Sequence, residues 1–114
     1  MAEQIVGTIA SQVETDISGP DGTRKSKDSE WSEITVPPDF AINKNLTNVE
    51  VLNEQGSEHT CQIEYANEVE IVPGTRLFMP TTIKVKTHAR SSSGAFGGKG
   101  AMAVKVHYTY VKFR

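Results

Sequence analysis

Residues 81–114 read TTIKVKTHAR, SSSGAFGGKG and AMAVKVHYTYVKFR, and the alternation in the first and last of these blocks decides the fold class. In the first, Ile83, Val85, Thr87 and Ala89 alternate with Lys84, Lys86, His88 and Arg90, the period of two that belongs to a half-buried strand. In the last, Met102, Val104, Val106, Tyr108 and Tyr110 alternate with Ala101, Ala103, Lys105, His107 and Thr109, after which Val111 and Phe113 carry the apolar residues onto the other parity. That change of phase predicts a bulge or a change of packing partner near Tyr110. The serine- and glycine-rich residues 91–100 have Phe96 as their only large apolar side chain, so an exposed, mobile link is expected between the arms of a terminal hairpin.

Further strands follow from the same reasoning upstream. Ile5, Gly7, Ile9, Ser11, Val13, Thr15 and Ile17 place a largely apolar or β-branched face on a first strand over residues 3–17. Residues 18–30 carry Gly-Pro and Asp-Gly turn signals and no apolar anchor, and are expected to be a flexible polar loop. A short strand over 31–36 ends at Pro37-Pro38, because proline donates no ladder hydrogen bond and holds the preceding residue extended. Phe40 and Ile42 are expected to cover an open end of the core, followed by a strand over 48–52 and a turn at 53–57. Residues 59–72 place Cys61, Ile63, Tyr65, Val69 and Ile71 on one parity, with Gln62, Glu64, Ala66, Glu68 and Glu70 on the other. Val72-Pro73-Gly74-Thr75 suits a type II turn, and Leu77-Phe78-Met79 is a short apolar run before Pro80. No helical pattern with caps and no internal repeat is present.

Charge is split along the chain. Residues 1–72 hold all fourteen acids against four bases, a net of −10, whereas residues 73–114 hold eight bases and no acid, +8, leaving −2 overall. Such polarity serves an anionic ligand, a second copy of the chain, or the pairing of its own strands, the last being the commonest. If the acidic strand pairs antiparallel with the cationic one, one register sets Glu70 against Lys84, Glu68 against Lys86 and Glu64 against Arg90.

With 114 residues, one domain over 1–114 buries roughly two thirds of the surface exposed by the unfolded chain and needs no staples. The single cysteine, Cys61, excludes an intrachain disulfide and is expected to be a buried thiol. The first residues lack the basic and apolar regions of a signal peptide, and no run approaches the ~20 apolar residues of a membrane span. A cytoplasmic location or an assembled particle is expected, with no membrane partner.

The strongest ligand-binding candidates are the cationic residues Lys84, Lys86, His88, Arg90, Lys105 and His107, expected on one side of the hairpin, with Lys99 and Phe96 in its tip. Such a face suits a phosphate, a sulfate or a nucleic-acid backbone. Nucleic acid is disfavoured because no aromatic residues interleave with these bases and the net charge is negative. A P-loop reading of residues 94–100 fails on spacing, and the resemblance of residues 99–104 to an RNA-binding pattern fails because Ala101 and Ala103 stand where stacking aromatics belong. His88 and His107 lack a third metal ligand, so neither metal nor cofactor is expected. Cys61 beside His59 has no third orienting group, the serines at 91–93 lack the glycine framing of a nucleophile elbow, and no carboxylate is marked as perturbed. No catalytic residue is assigned. Trp31, Phe40, Tyr65, Tyr108 and Tyr110 are available for stacking, although a β core needs aromatics in any case.

The expected architecture is a single antiparallel β-sandwich or barrel, jelly-roll-like, of about six to eight strands, with long polar loops at 18–30 and 91–100 and with the first and last strands as neighbours. Long alternating edges need covering, most simply by a second copy. The leading functional expectation is therefore a non-enzymatic structural or assembly module, self-associating as a homo-oligomer or within a larger particle. The alternative is a carbohydrate- or anion-binding module using the two loops, and a small barrel enzyme ranks third.

Overall fold

The computed structural model describes residues 4–92, 94 and 97–114. Among these, seven strands and no helix are found: β1 (Gln4–Glu14), β2 (Ser26–Asp28), β3 (Ser32–Thr35), β4 (Phe40–Gln55), β5 (Glu58–Val72), β6 (Leu77–Arg90) and β7 (Ala101–Lys112). They make two antiparallel sheets that pack as an open sandwich and do not close into a barrel. One sheet has the order β1-β7-β4; in the other, β6 is central, with β5 on one side and β2 and β3 on the other. The first and last strands are neighbours, in unbroken register from Gln4 opposite Val111 to Glu14 opposite Ala101. Apolar faces meet between the sheets, burying Ile9, Ile42, Ile83, Val85, Val104 and Val106.

The terminal strands are not a hairpin. β6 and β7 have the expected alternation but lie at the centres of opposite sheets. Each has one apolar face, and stacking them face to face across the ~10 Å between sheets covers both at once, a span that a ten-residue link crosses easily. That link is not loose at its ends. Ser91 is fully buried, its N–H donates to the Lys25 carbonyl, and its Oγ accepts from the Lys25 N–H at 2.7 Å and meets Ser18 Oγ at 3.0 Å. Ser57 Oγ donates to the Ser91 carbonyl at 2.8 Å, and Gly100 is buried against the backbone of Arg90. The polar loop 18–30 is thereby tied to the sheet rather than flexible: backbone bonds and serine hydroxyls replace the missing apolar anchor, and its end forms β2.

β4 is far longer than the five-residue strand expected. Phe40 and Ile42 belong to it, and the polar Asn43-Lys44-Asn45 does not end it but marks a bulge, with the Asn45 N–H bonded to Asn43 Oδ1 at 3.1 Å and the register resuming at Asn48. The irregularity foreseen near Tyr110 thus falls on the neighbour of β7, while β7 itself runs unbroken against β1.

β5 and β6 pair as expected, but in another register: Glu64 lies opposite Lys84, Gln62 opposite Lys86 and Glu58 opposite Arg90. The cause is the turn, where Gly74 has φ 80° and the Thr75 N–H returns to the Val72 carbonyl, so the hairpin folds at 73–76 and Leu77-Phe78-Met79 becomes the start of β6. Asn67, at φ 59°, marks where the sandwich ends on this side; its Nδ2 donates to Thr82 Oγ1 and its carbonyl accepts from Thr81 Oγ1. Beyond it, residues 68–72 and 77–80 have only each other as strand partners among the described residues. They form a two-stranded arm at one end of a molecule measuring 61 × 21 × 18 Å.

Candidate functional site

The cationic residues expected on one surface are divided between the two outer faces. Lys84, Lys86, His88 and Arg90 are on β6, whereas Lys105 and His107 are on β7 in the opposite sheet, so His88 and His107 do not approach each other. Lys99 lies at the end of the link between the sheets, and Phe96 falls outside the described residues.

On β6 the charges alternate with those of its neighbours. His88 is the centre of this arrangement: Nδ1 is 2.7 Å from Asp28 Oδ1 on β2, and Nε2 is 3.1 Å from Glu58 Oε2 on β5. Hydrogen bonds donated by the ring to Glu58 and then to Asp28 hold the imidazolium form, raising its pKa above the ordinary histidine value. Arg90 Nη1 is 3.7 Å from the other oxygen of Glu58. Lys84 stands between Glu33 on β3 and Glu64 on β5, and Lys86 reaches over the Trp31 ring, 5.7 Å from its centroid. The carboxylates beside these bases are thus Asp28, Glu33, Glu58 and Glu64, of which Asp28 and Glu58 make ion pairs. Glu68 lies opposite Pro80, and Glu70 accepts the Gly74 and Arg76 N–H groups at 3.0 and 3.1 Å, which fixes the turn.

The remaining bases also lie beside carboxylates. His107 Nε2 is 2.9 Å from Glu50 Oε1, Lys105 is opposite Glu50 in the ladder, and Lys99 Nζ is 2.5 Å from Glu14 Oε1. That last contact lowers the carboxyl pKa of Glu14 and raises the amine pKa of Lys99. These arrangements bind strand to strand and leave few cations turned towards a common point.

Nucleophilic and metal chemistry find no assembled site among the described residues. Cys61 is half-buried on the inner side of β5, and burial pushes its thiol pKa up, away from the thiolate a nucleophile requires. Its neighbour His59 turns to Glu54, 3.2 Å away. Among the described residues, no group of three or more His, Cys, Asp or Glu is placed to hold a metal ion. The aromatics do not converge on a ligand either: Phe40, Tyr108 and Tyr110 pack on one another against the core, Tyr65 bonds Thr47 Oγ1 at 2.6 Å, and Trp31 stands just before β3 under Lys86.

Two features were missed by sequence reasoning. Two shallow open grooves of about 560 and 500 Å³ run beside the second half of β1, between it and residues 27–32, over a floor that includes Ala103. Small residues in alternating positions were the available signal. The second feature is apolar surface: Val72, Leu77 and Phe78 on the arm, and Leu46, Val49, Val51 and Leu52 on β4, are each exposed by roughly two fifths or more. The short apolar run before Pro80 announced part of it, yet only the position of the turn shows that the run is not tucked into the core. No protein-family model, curated protein or solved structure matches the chain.

Proposed function

We propose that this chain is a non-enzymatic structural module that associates with copies of itself, as a homo-oligomer or as part of a larger particle. The observation that carries the reading is the arm. A two-stranded ribbon has little stability of its own in water, and this one holds Val72, Leu77 and Phe78 about half in solvent, at 48%, 53% and 50% exposure. Leu77 and Phe78 are successive residues of β6 and turn to opposite faces of the ribbon, with Val72 opposite Leu77, so apolar surface is open on both faces for a second copy to cover. The charge split, the first motive for expecting assembly, lends less support, because part of it is taken up within the chain, where Arg90 and Lys99 pair with Glu58 and Glu14, and His88 and His107 with Asp28, Glu58 and Glu50.

Light scattering after size exclusion, at low salt and again near 1 M, where the screening length falls to ~3 Å, tests the reading. A multimer of unchanged mass in both is expected, since burying apolar surface is not weakened by salt. A monomer in both removes the assembly reading. Dissociation at high salt moves the contact from the apolar arm to the charged faces.

A further inference from the structure

Four stretches of sheet edge are open to another strand, and three of them carry devices that discourage pairing. β2 and β3 have only three and four residues. β4 is broken by register shifts after Asn43 and after Val51. β5 carries Glu58, Glu64, Glu68 and Glu70 and is bent at the left-handed Asn67, so two copies laid side by side would oppose carboxylates. Short strands, bulges and charges are the means by which edges are kept single. β1 has none of them. Its eleven residues contain no proline and no bulge, and no charge before Glu14.

The ladder shows which of its groups are unused. The Thr15 N–H donates to the Gly100 carbonyl at 2.8 Å, continuing the β1–β7 register, so the odd-numbered residues of β1 turn their N–H and C=O groups towards β7. Gln4, Val6, Thr8, Ala10, Gln12 and Glu14 point theirs away from it, into a free edge with the open grooves beside its second half. Val6, at 66% the most exposed large apolar residue among those described, is in the same row.

We propose that β1 pairs antiparallel with β1 of a second copy, joining two three-stranded sheets into one of six strands about a two-fold axis at Thr8. Thr8 then faces its own counterpart, Val6 lies opposite Ala10 of the second copy, and Gln4 opposite Gln12. Within the paired strands only uncharged residues meet, with Lys27, Asp28 and Glu30 across the groove from them, so the ladder itself is self-complementary without repulsion. Backbone pairing gives the affinity, and the absence of charge permits an identical strand as the occupant. This rests on the self-association reading and adds to the apolar arm a second contact between copies.

The deciding variant is Thr8→Pro. Its lost N–H is one that β7 does not use, so the fold stands while the edge loses a donor at the axis. A second variant, Val6→Lys with Ala10→Lys, changes two exposed side chains and sets lysines opposite one another across the axis. The molar mass of each is expected to be half that of the unsubstituted chain, with far-ultraviolet circular dichroism unchanged. Amide exchange gives the second readout: the N–H groups of Val6, Thr8 and Ala10 are expected to be protected at least tenfold more in the unsubstituted chain than in the lysine variant. A multimer whose mass is unchanged by the lysine pair, or one in which those amides exchange freely, overturns the edge contact and leaves self-association standing. A monomeric unsubstituted chain overturns both.

Discussion

Gly56 and Gly74 both hold a left-handed backbone, at φ 96° and 80°, yet their surroundings differ in a way that separates two costs. At Gly74 a Cβ would meet nothing within 4 Å, so Gly74→Ala adds only the backbone penalty of about 1–2 kcal/mol. At Gly56 the same Cβ would run into the carbonyl of Arg90 and stand 2.7 Å from Cα of Gly100, and both obstacles are main chain in the tight join between β4, β6 and β7. Gly56→Ala must therefore move backbone as well as strain it, and the expected loss is about 3 kcal/mol or more. Urea unfolding of the two variants should give a clearly larger drop in midpoint for Gly56→Ala; equal drops would mean that the join yields easily. Gly7 makes a milder case. A Cβ there would be 2.5 Å from the Tyr108 ring, a side chain lying over the glycine opposite it in the ladder.

Between strands, the Asp28–His88–Glu58 arrangement ties β2, β6 and β5 and makes their pairing depend on pH. The folded state binds the imidazole proton more tightly than the unfolded state does, since both carboxylates raise the histidine pKa. The added stability is therefore complete below the unfolded value of about 6.5 and is lost as pH rises through the raised folded value. His88→Gln should narrow its stability gap to the parent protein as pH rises from ~5.5 to ~8.5, and 1 M salt should shrink the gap at the lower pH. A gap independent of pH would show that only the neutral hydrogen bonds count. This arrangement was half legible in the sequence. Alternation gave β6 and β7 and the face that each buries, because a period of two is a property of one strand alone. Their membership of different sheets was not legible, for the same alternation suits a hairpin and a stacked pair. The register of β5 on β6 was within reach: Pro73-Gly74 already placed the fold of the hairpin, which forbids Glu70 opposite Lys84. Tethering of residues 18–30 was hidden because it depends on serine hydroxyls and backbone groups that distant segments supply.

Over the whole molecule, the lengthwise charge split is partly taken up by pairs within the chain, while the shape supplies another motive for association. The twelve residues of β7 span about 40 Å at a rise of about 3.4 Å per residue, against a long axis of 61 Å, and the arm contributes to the difference. Full burial of a Leu or Phe side chain contributes about 1.5–3 kcal/mol, and roughly half of Val72, Leu77 and Phe78 is still available, so covering all three is worth about 3 kcal/mol. At about 1.4 kcal/mol per decade, this amounts to about a hundredfold in association. Leu77→Asp combined with Phe78→Asp should remove most of that gain and weaken self-association by roughly 10- to 100-fold, measured as the concentration at which the multimer dissociates in sedimentation. The urea midpoint of the dissociated chain should scarcely move, because both side chains are already about half in water. If the dissociation concentration were unchanged while the midpoint fell, the arm would be a part of the fold that needs those residues for itself, and the contact between copies would have to lie elsewhere on the sandwich.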